Sequence, residues 1–162
     1  MCIRDRLKLG DIYHAQSKED KAKSLYIHAM EIWKNIEKME TPEAIATMGN
    51  LGEIYSSQGN YSGAEPLFTN VFRYKERKFG ANSLEVANSV SRLALLYYCE
   101  SKYTEAEPLY KKAIQIRAIN LGANDPAVVQ TQHFYPQLLR QEGRKKEADK
   151  FETHPVIDSF SN

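Results

Sequence analysis

Apolar residues recur along the chain at the spacing of a helix face. Met48, Leu51, Gly52 and Tyr55 are separated by three, one and three residues, and Ala64, Leu67, Phe68 and Val71 repeat that spacing after "SSQGN". This spacing places side chains on one stripe of an α-helix. The segment predicts a helix A, a tight turn and a helix B, with Gly59 available for a left-handed C-cap. The pattern then returns at a fixed interval. Ala64 and Ala106 open "AEPLF" and "AEPLY" and lie 42 residues apart. In the same register, Leu9, Leu51, Leu93 and Tyr135 form one column, and Tyr13, Tyr55, Tyr97 and Leu139 another. Ala22, Ala64, Ala106 and Ala148 form a third, with Leu25, Leu67, Leu109 and Phe151 three residues on. A fixed period of this size marks stacked supersecondary units. The fold class read from it is all-α, a solenoid of antiparallel helix pairs.

The unit boundaries follow the same period. Thr41, Ser83 and Asp125 are N-cap residue types at equivalent positions, and Pro42 and Pro126 follow at N1, where a missing N–H is harmless. Gly80 and Gly122 are placed to end the preceding helices. Gly10, Gly52 and Ala94 share a column opposite the alanines of helix B, so the two backbones are expected to approach closely there. Pro66 and Pro108 fall early in helix B, where each removes about one backbone hydrogen bond.

These residues resemble a known family. "MGNLGEIYSSQGNYSGAEPLF" is similar to a tetratricopeptide repeat (TPR) unit: Leu51, Gly52, Tyr55, Ala64 and Phe68 match the family pattern, with Met48 in the aromatic slot. The longer unit, with "AEPLY", "AIQIR" and "LGANDP", is similar to the repeats of kinesin light chain and nephrocystin-3-like proteins. The resemblance implies a right-handed superhelix over about residues 7–152, with repeats near 7–40, 41–82, 83–124 and 125–152 and a tail at 153–162. The fourth unit departs from the pattern. Pro136 sits where Gly or Ala belongs, which predicts a kinked or loosened helix, and Glu152 replaces the aromatic. The polar run "GRKKEADKFETH" suits an end cap.

The opening "MCIRDR" does not fit the array. Projected back one period, the N-cap column falls before residue 1, and the hexapeptide matches the translation of a transposon end used in sequencing-library preparation. Residues 1–6 are therefore expected to be a non-native leader, and further repeats or domains of the same chain to lie upstream. Resequencing without that adaptor checks this. The compartment is not legible from such a chain; cytoplasmic is only the default.

Composition narrows the function. The net charge is +1, with 42% hydrophobic and 27% charged residues, and no block of like charge exceeds "GRKK". Nucleic-acid and polybasic membrane roles need a face rich in Lys and Arg, and a membrane span needs about 18 or more apolar residues in a row. Neither pattern is present. Cys2 and Cys99 share no metal-ligand spacing with each other or with a histidine, and Cys99 is expected to be partly buried. His14, His28, His133 and His154 show no ligand or triad spacing. "GNYSG" lacks the Lys and the strand of a phosphate loop. No cofactor, metal or catalytic constellation is expected.

What remains is the face of helix A opposite its core stripe, found at about 100° per residue. It carries Lys8 and Asp11 in the first unit, Asn50 and Glu53 in the second, Asn88, Arg92 and Leu95 in the third, and Phe134 and Gln137 in the fourth. The resemblance implies that these residues face a concave groove that takes a peptide or partner protein. Asn50 and Arg92 would hold backbone or acidic groups, and Leu95 and Phe134 an apolar side chain; the alternative for Phe134 is packing on the C-terminal tail or between stacked helices. The expected function is a non-catalytic protein-interaction scaffold, or else a regulatory module at the end of a longer enzyme such as an ATPase or kinase.

Overall fold

The computed structural model describes residues 2–153. Among them are eight α-helices and no strand: α1 (Ile3–Ala15), α2 (Glu19–Asn35), α3 (Pro42–Ser57), α4 (Tyr61–Phe79), α5 (Leu84–Cys99), α6 (Tyr103–Leu121), α7 (Pro126–Gln141) and α8 (Lys145–Thr153). Odd-numbered helices are the A helices of the sequence reading, and even-numbered ones the B helices. The chain divides into two compact units, the first running to Tyr74 and the second from Lys75 onward.

Caps start the A helices where the sequence places them. The side-chain oxygens of Thr41, Ser83 and Asp125 accept from the backbone N–H groups of Ala44, Val86 and Ala127. The turns from A to B share one conformation. Ser17, Gly59, Ser101 and Gly143, spaced at the repeat period, all have positive φ, between 56° and 78°. In the second of these turns Gly59 N–H donates to Ser56 O and Asn60 N–H to Tyr55 O, and the third turn repeats the pair with Ser101 to Tyr98 and Lys102 to Tyr97. These two bonds close a helix end in the manner of a Schellman motif. Serine adopts that conformation less readily than glycine. Ser101→Gly should therefore stabilise the protein by up to about 1 kcal/mol, read as a raised midpoint in urea unfolding.

In the first unit the core joins Ala22 and Tyr26 of α2 to Leu51 and Ile54 of α3, while Ile45 and Met48 of α3 pack with Val71 of α4. The glycines of helix A make room for an aromatic ring of helix B, where the alanine column was expected to stand opposite. A Cβ placed on Gly10 would lie 2.7 Å from the Tyr26 ring, and one on Gly52 would lie 2.6 Å from the Phe68 ring. In the second unit Ala94, Ala106, Tyr110 and Ile114 join Tyr135 and Leu138 of α7 in one cluster that extends to Phe151 of α8. Pro66, Pro108 and Pro136 each stand inside a helix without ending it. α7 runs as one helix from Pro126 to Gln141 with Pro136 inside it. The repeat explains why bulk is admitted there. The ring that faces this column elsewhere (Tyr26, Phe68) is replaced by Glu152, whose carboxylate instead pairs with Arg140 at 2.7 Å through both oxygens.

Candidate functional site

The outward stripe of α5 and α7 opens onto a pocket of about 390 Å³ in the second unit. Asn88, Arg92 and Leu95 come to it from α5, and Phe134 from α7. Lys75, in the last turns of α4, and Arg117 and Tyr110 of α6 complete the wall. Three of the lining side chains are basic and none is a carboxylate.

Neutral oxygens fix Arg117. Its guanidinium donates to Thr131 Oγ1 and, at 2.9 Å, to Asn88 Oδ1. Thr131 spends its own hydrogen on the Ala127 carbonyl at 2.7 Å, so the hydroxyl oxygen is left to accept. Burial holds Arg117 below its ordinary pKa. Burial also lowers Lys75, the nearby Arg92 lowers it further, and Glu85 acts in the opposite sense. The pocket therefore holds a partly desolvated cluster of like charge. Beside it stands an apolar wall. Leu95 is 48% exposed and Phe134 39% exposed. Phe134 stacks on Tyr110 with ring centroids 6.4 Å apart and planes 19° apart, so part of its surface is packed against α6. Packing of Phe134 on the tail would involve residues 154–162, which lie outside the described residues. Gln137 is absent from this wall and hydrogen-bonds to His133, one turn back, at 3.0 Å.

The first unit carries the other candidates in a different arrangement. Tyr26 OH donates to Asp11 Oδ1 at 2.6 Å, and Asn50 Nδ2 donates to both Asp11 Oδ1 and Tyr26 OH at 3.3 Å. Asn50 thus ties α3 to α1 and α2. Burial first, and then the hydrogen bond to Asp11, push the Tyr26 phenol up. Glu53 lies 3.7 Å from His14 Nε2, a carboxylate–histidine pair that the spacing of the histidines does not reveal. Lys8 is exposed on α1. Cys99, expected to be partly buried, is exposed, because it ends α5 on the outward stripe.

Lys75 and Arg117 are absent from the sequence reading, although a signal for them exists. They lie one repeat period apart on the B helices, in a column where the first repeat has Trp33. Among the described residues no group of three or more His, Cys, Asp or Glu side chains could hold a metal ion, and no helix is long and apolar enough to cross a membrane.

Comparison with solved structures places the fold. The chain superposes on the crystal structure of BtubC (BKLC) from P. vanneervenii with a TM-score of 0.82 at 24% identity, over 91% of this chain and 59% of that one. A putative kinesin light chain from Podospora anserina with nearly identical TPR-like repeats gives 0.76 at 21% identity, over 90% and 69%. The Sgt2 TPR domain of Aspergillus fumigatus gives 0.56 at 18%, over 96% and 87%. The chain thus spans about 59% of the length of the BtubC structure. No curated protein sequence matches it. The tetratricopeptide repeat model matches residues 6–77 and 79–154, nearly the whole chain, and the protein therefore belongs to the tetratricopeptide repeat family.

Proposed function

We propose that the chain is a non-catalytic interaction module that holds an extended segment of a partner protein on the concave, A-helix side of its family's fold, with the α5–α7 pocket as the main specificity element. Tetratricopeptide repeat proteins generally serve as non-catalytic interaction scaffolds. The observation that carries the reading is the make-up of that pocket, in which three cations and no carboxylate stand beside the exposed Leu95 and Phe134. Such a site favours an acidic group with an apolar side chain next to it. The charge steers and orients the segment, and the apolar wall contributes buried area.

The test uses the full chain in isothermal titration against a peptide library graded by charge and by apolar content. Arg92 is exposed, and hydrogen bonds to charged groups contribute about 1.5–3 kcal/mol. Arg92→Ala should therefore weaken an acidic peptide by on the order of tenfold while the melting temperature stays within about 2 °C of the parent's. Leu95→Ala should weaken peptides that carry an apolar residue beside the acid and spare those that do not. Equal affinities for the parent and both variants would remove this pocket from the binding surface.

A further inference from the structure

We propose that the α5–α7 pocket is selective for a phosphorylated aromatic side chain, phosphotyrosine in a partner protein, over a carboxylate. The inference rests on the reading of this pocket as the peptide site and goes beyond it in naming the group that fills it.

A carboxylate brings one negative charge to a wall that carries Lys75, Arg92 and Arg117. A phosphate ester brings nearly two near neutral pH, together with three strong acceptor oxygens. Clusters of this kind are the usual means of recognising phosphorylated motifs. The cations come from three elements, the end of α4, α5 and α6, so they surround a volume instead of forming a stripe along one helix. Arg117 is pre-oriented by Asn88 and Thr131, which carry no charge and so leave its positive charge uncancelled. Asn88 uses Oδ1 on Arg117, and its Nδ2 hydrogens remain available as neutral donors. Burial of Lys75 and Arg117 strengthens the field a dianion would feel.

An apolar wall stands beside the cations. A phosphoserine headgroup would occupy the cations and leave Leu95 and the open part of Phe134 uncovered. A phenyl ring attached to the phosphate covers both, packing against Leu95 and against Phe134, which is itself stacked on Tyr110. A pocket of about 390 Å³ lies within the size range of small-ligand sites and leaves room for a ring and a phosphate together. A nucleic-acid phosphate fits less well. The net charge is +1, and the basic residues gather in a pocket instead of tracking a strand.

The experiment is isothermal titration of the full chain with one heptapeptide in four forms, carrying phosphotyrosine, tyrosine, glutamate or phosphoserine at its centre, and separately with phenyl phosphate, benzoate and adenosine monophosphate. The phosphotyrosine form should bind at least tenfold more tightly than the other three, and phenyl phosphate at least tenfold more tightly than benzoate or the nucleotide. Lys75→Gln and Arg92→Gln should each reduce the phosphotyrosine preference about tenfold, with circular dichroism confirming an intact fold. If phosphoserine equals phosphotyrosine, the aromatic part of the proposal falls. If the glutamate form equals the phosphotyrosine form, the phosphate part falls while the peptide-site reading stands. If no form binds and no library peptide binds either, both readings fall together. A nucleotide preference over phenyl phosphate would overturn the assignment to a protein-borne group.

Discussion

Gly52→Leu should lower the stability of the protein by about 3 kcal/mol, a fall in melting temperature of roughly 6–12 °C for a chain of this size. Phe68 is 4% exposed, and two of its ring atoms would lie 2.6 and 2.9 Å from a Cβ on Gly52. Real Cβ contacts do not become that short, so the ring or the backbone must move. A buried aromatic ring has few rotamers to move into. Replacing glycine inside a helix gains back at most about 1 kcal/mol of propensity, less than the overpacking removes. Gly52→Ala separates the two effects and should be destabilising by a smaller margin. A second change that shrinks the ring, Phe68→Leu, should partly rescue Gly52→Leu. The double-mutant cycle then reports a favourable coupling between the two positions. If Gly52→Leu melts like the parent, the close approach of α3 and α4 is not tight.

The repeat made most of this architecture legible from sequence alone. N-caps are read from residue type because Thr41, Ser83 and Asp125 satisfy the same orphan donors by the same chemistry wherever they occur. The tight turns were only half visible. Gly59 announces a left-handed residue, whereas Ser17 and Ser101 adopt the same conformation under the pull of their neighbours and carry no local mark. Pro136 reads as a kink or a loosened turn when taken by itself. Its tolerance depends on what stands across from it, a long-range fact that one helix does not contain.

The candidate site was legible to a lesser degree, for a physical reason. The spacing of the stripe picks out side chains that point away from the core of their own helix, among them Asn88, Arg92 and Leu95 of α5, which line one pocket. It cannot tell which of those side chains are already engaged. Asn50 lies on the stripe yet spends its amide on Asp11 and Tyr26, so Asn50→Ala would unmake a polar contact among three helices as well as alter the surface. Nor does that spacing mark side chains that reach the same space from helix B. Lys75 and Arg117 arrive at the pocket from the end of α4 and from α6, and only the column they share betrays them.

Acid should loosen the last helix pair first, through a single carboxylate. Glu107 of α6 accepts from Tyr135 OH of α7 and from Arg144, just before α8, each at 2.8 Å, and it pairs with Lys111 at 2.8 Å. It thus joins α6, α7 and the start of the nine-residue α8. Burial would raise its pKa, but the hydrogen bonds from Arg144, Lys111 and Tyr135 outweigh burial and hold it at about 2, below the ordinary 4.5. A carboxyl depressed in the folded state stabilises the protein fully above its unfolded pKa, and that contribution disappears as pH falls through the folded one. The window therefore runs from about 4.5 down to about 2. With the side chain 16% exposed, the contribution at neutral pH is roughly 2–3 kcal/mol, from about 1.4 kcal/mol per pKa unit. Glu107→Gln keeps an acceptor in place and cannot titrate. It should be less stable than the parent at pH 7 by roughly 2 kcal/mol and close to it at pH 2. Chemical denaturation at a series of pH values, with the variant beside the parent, measures the convergence. Hydrogen exchange at pH 3 adds the location, with the amides of α8 losing protection ahead of those of α5. Parallel pH profiles for the two proteins would show that Glu107 is not the group that holds the cap.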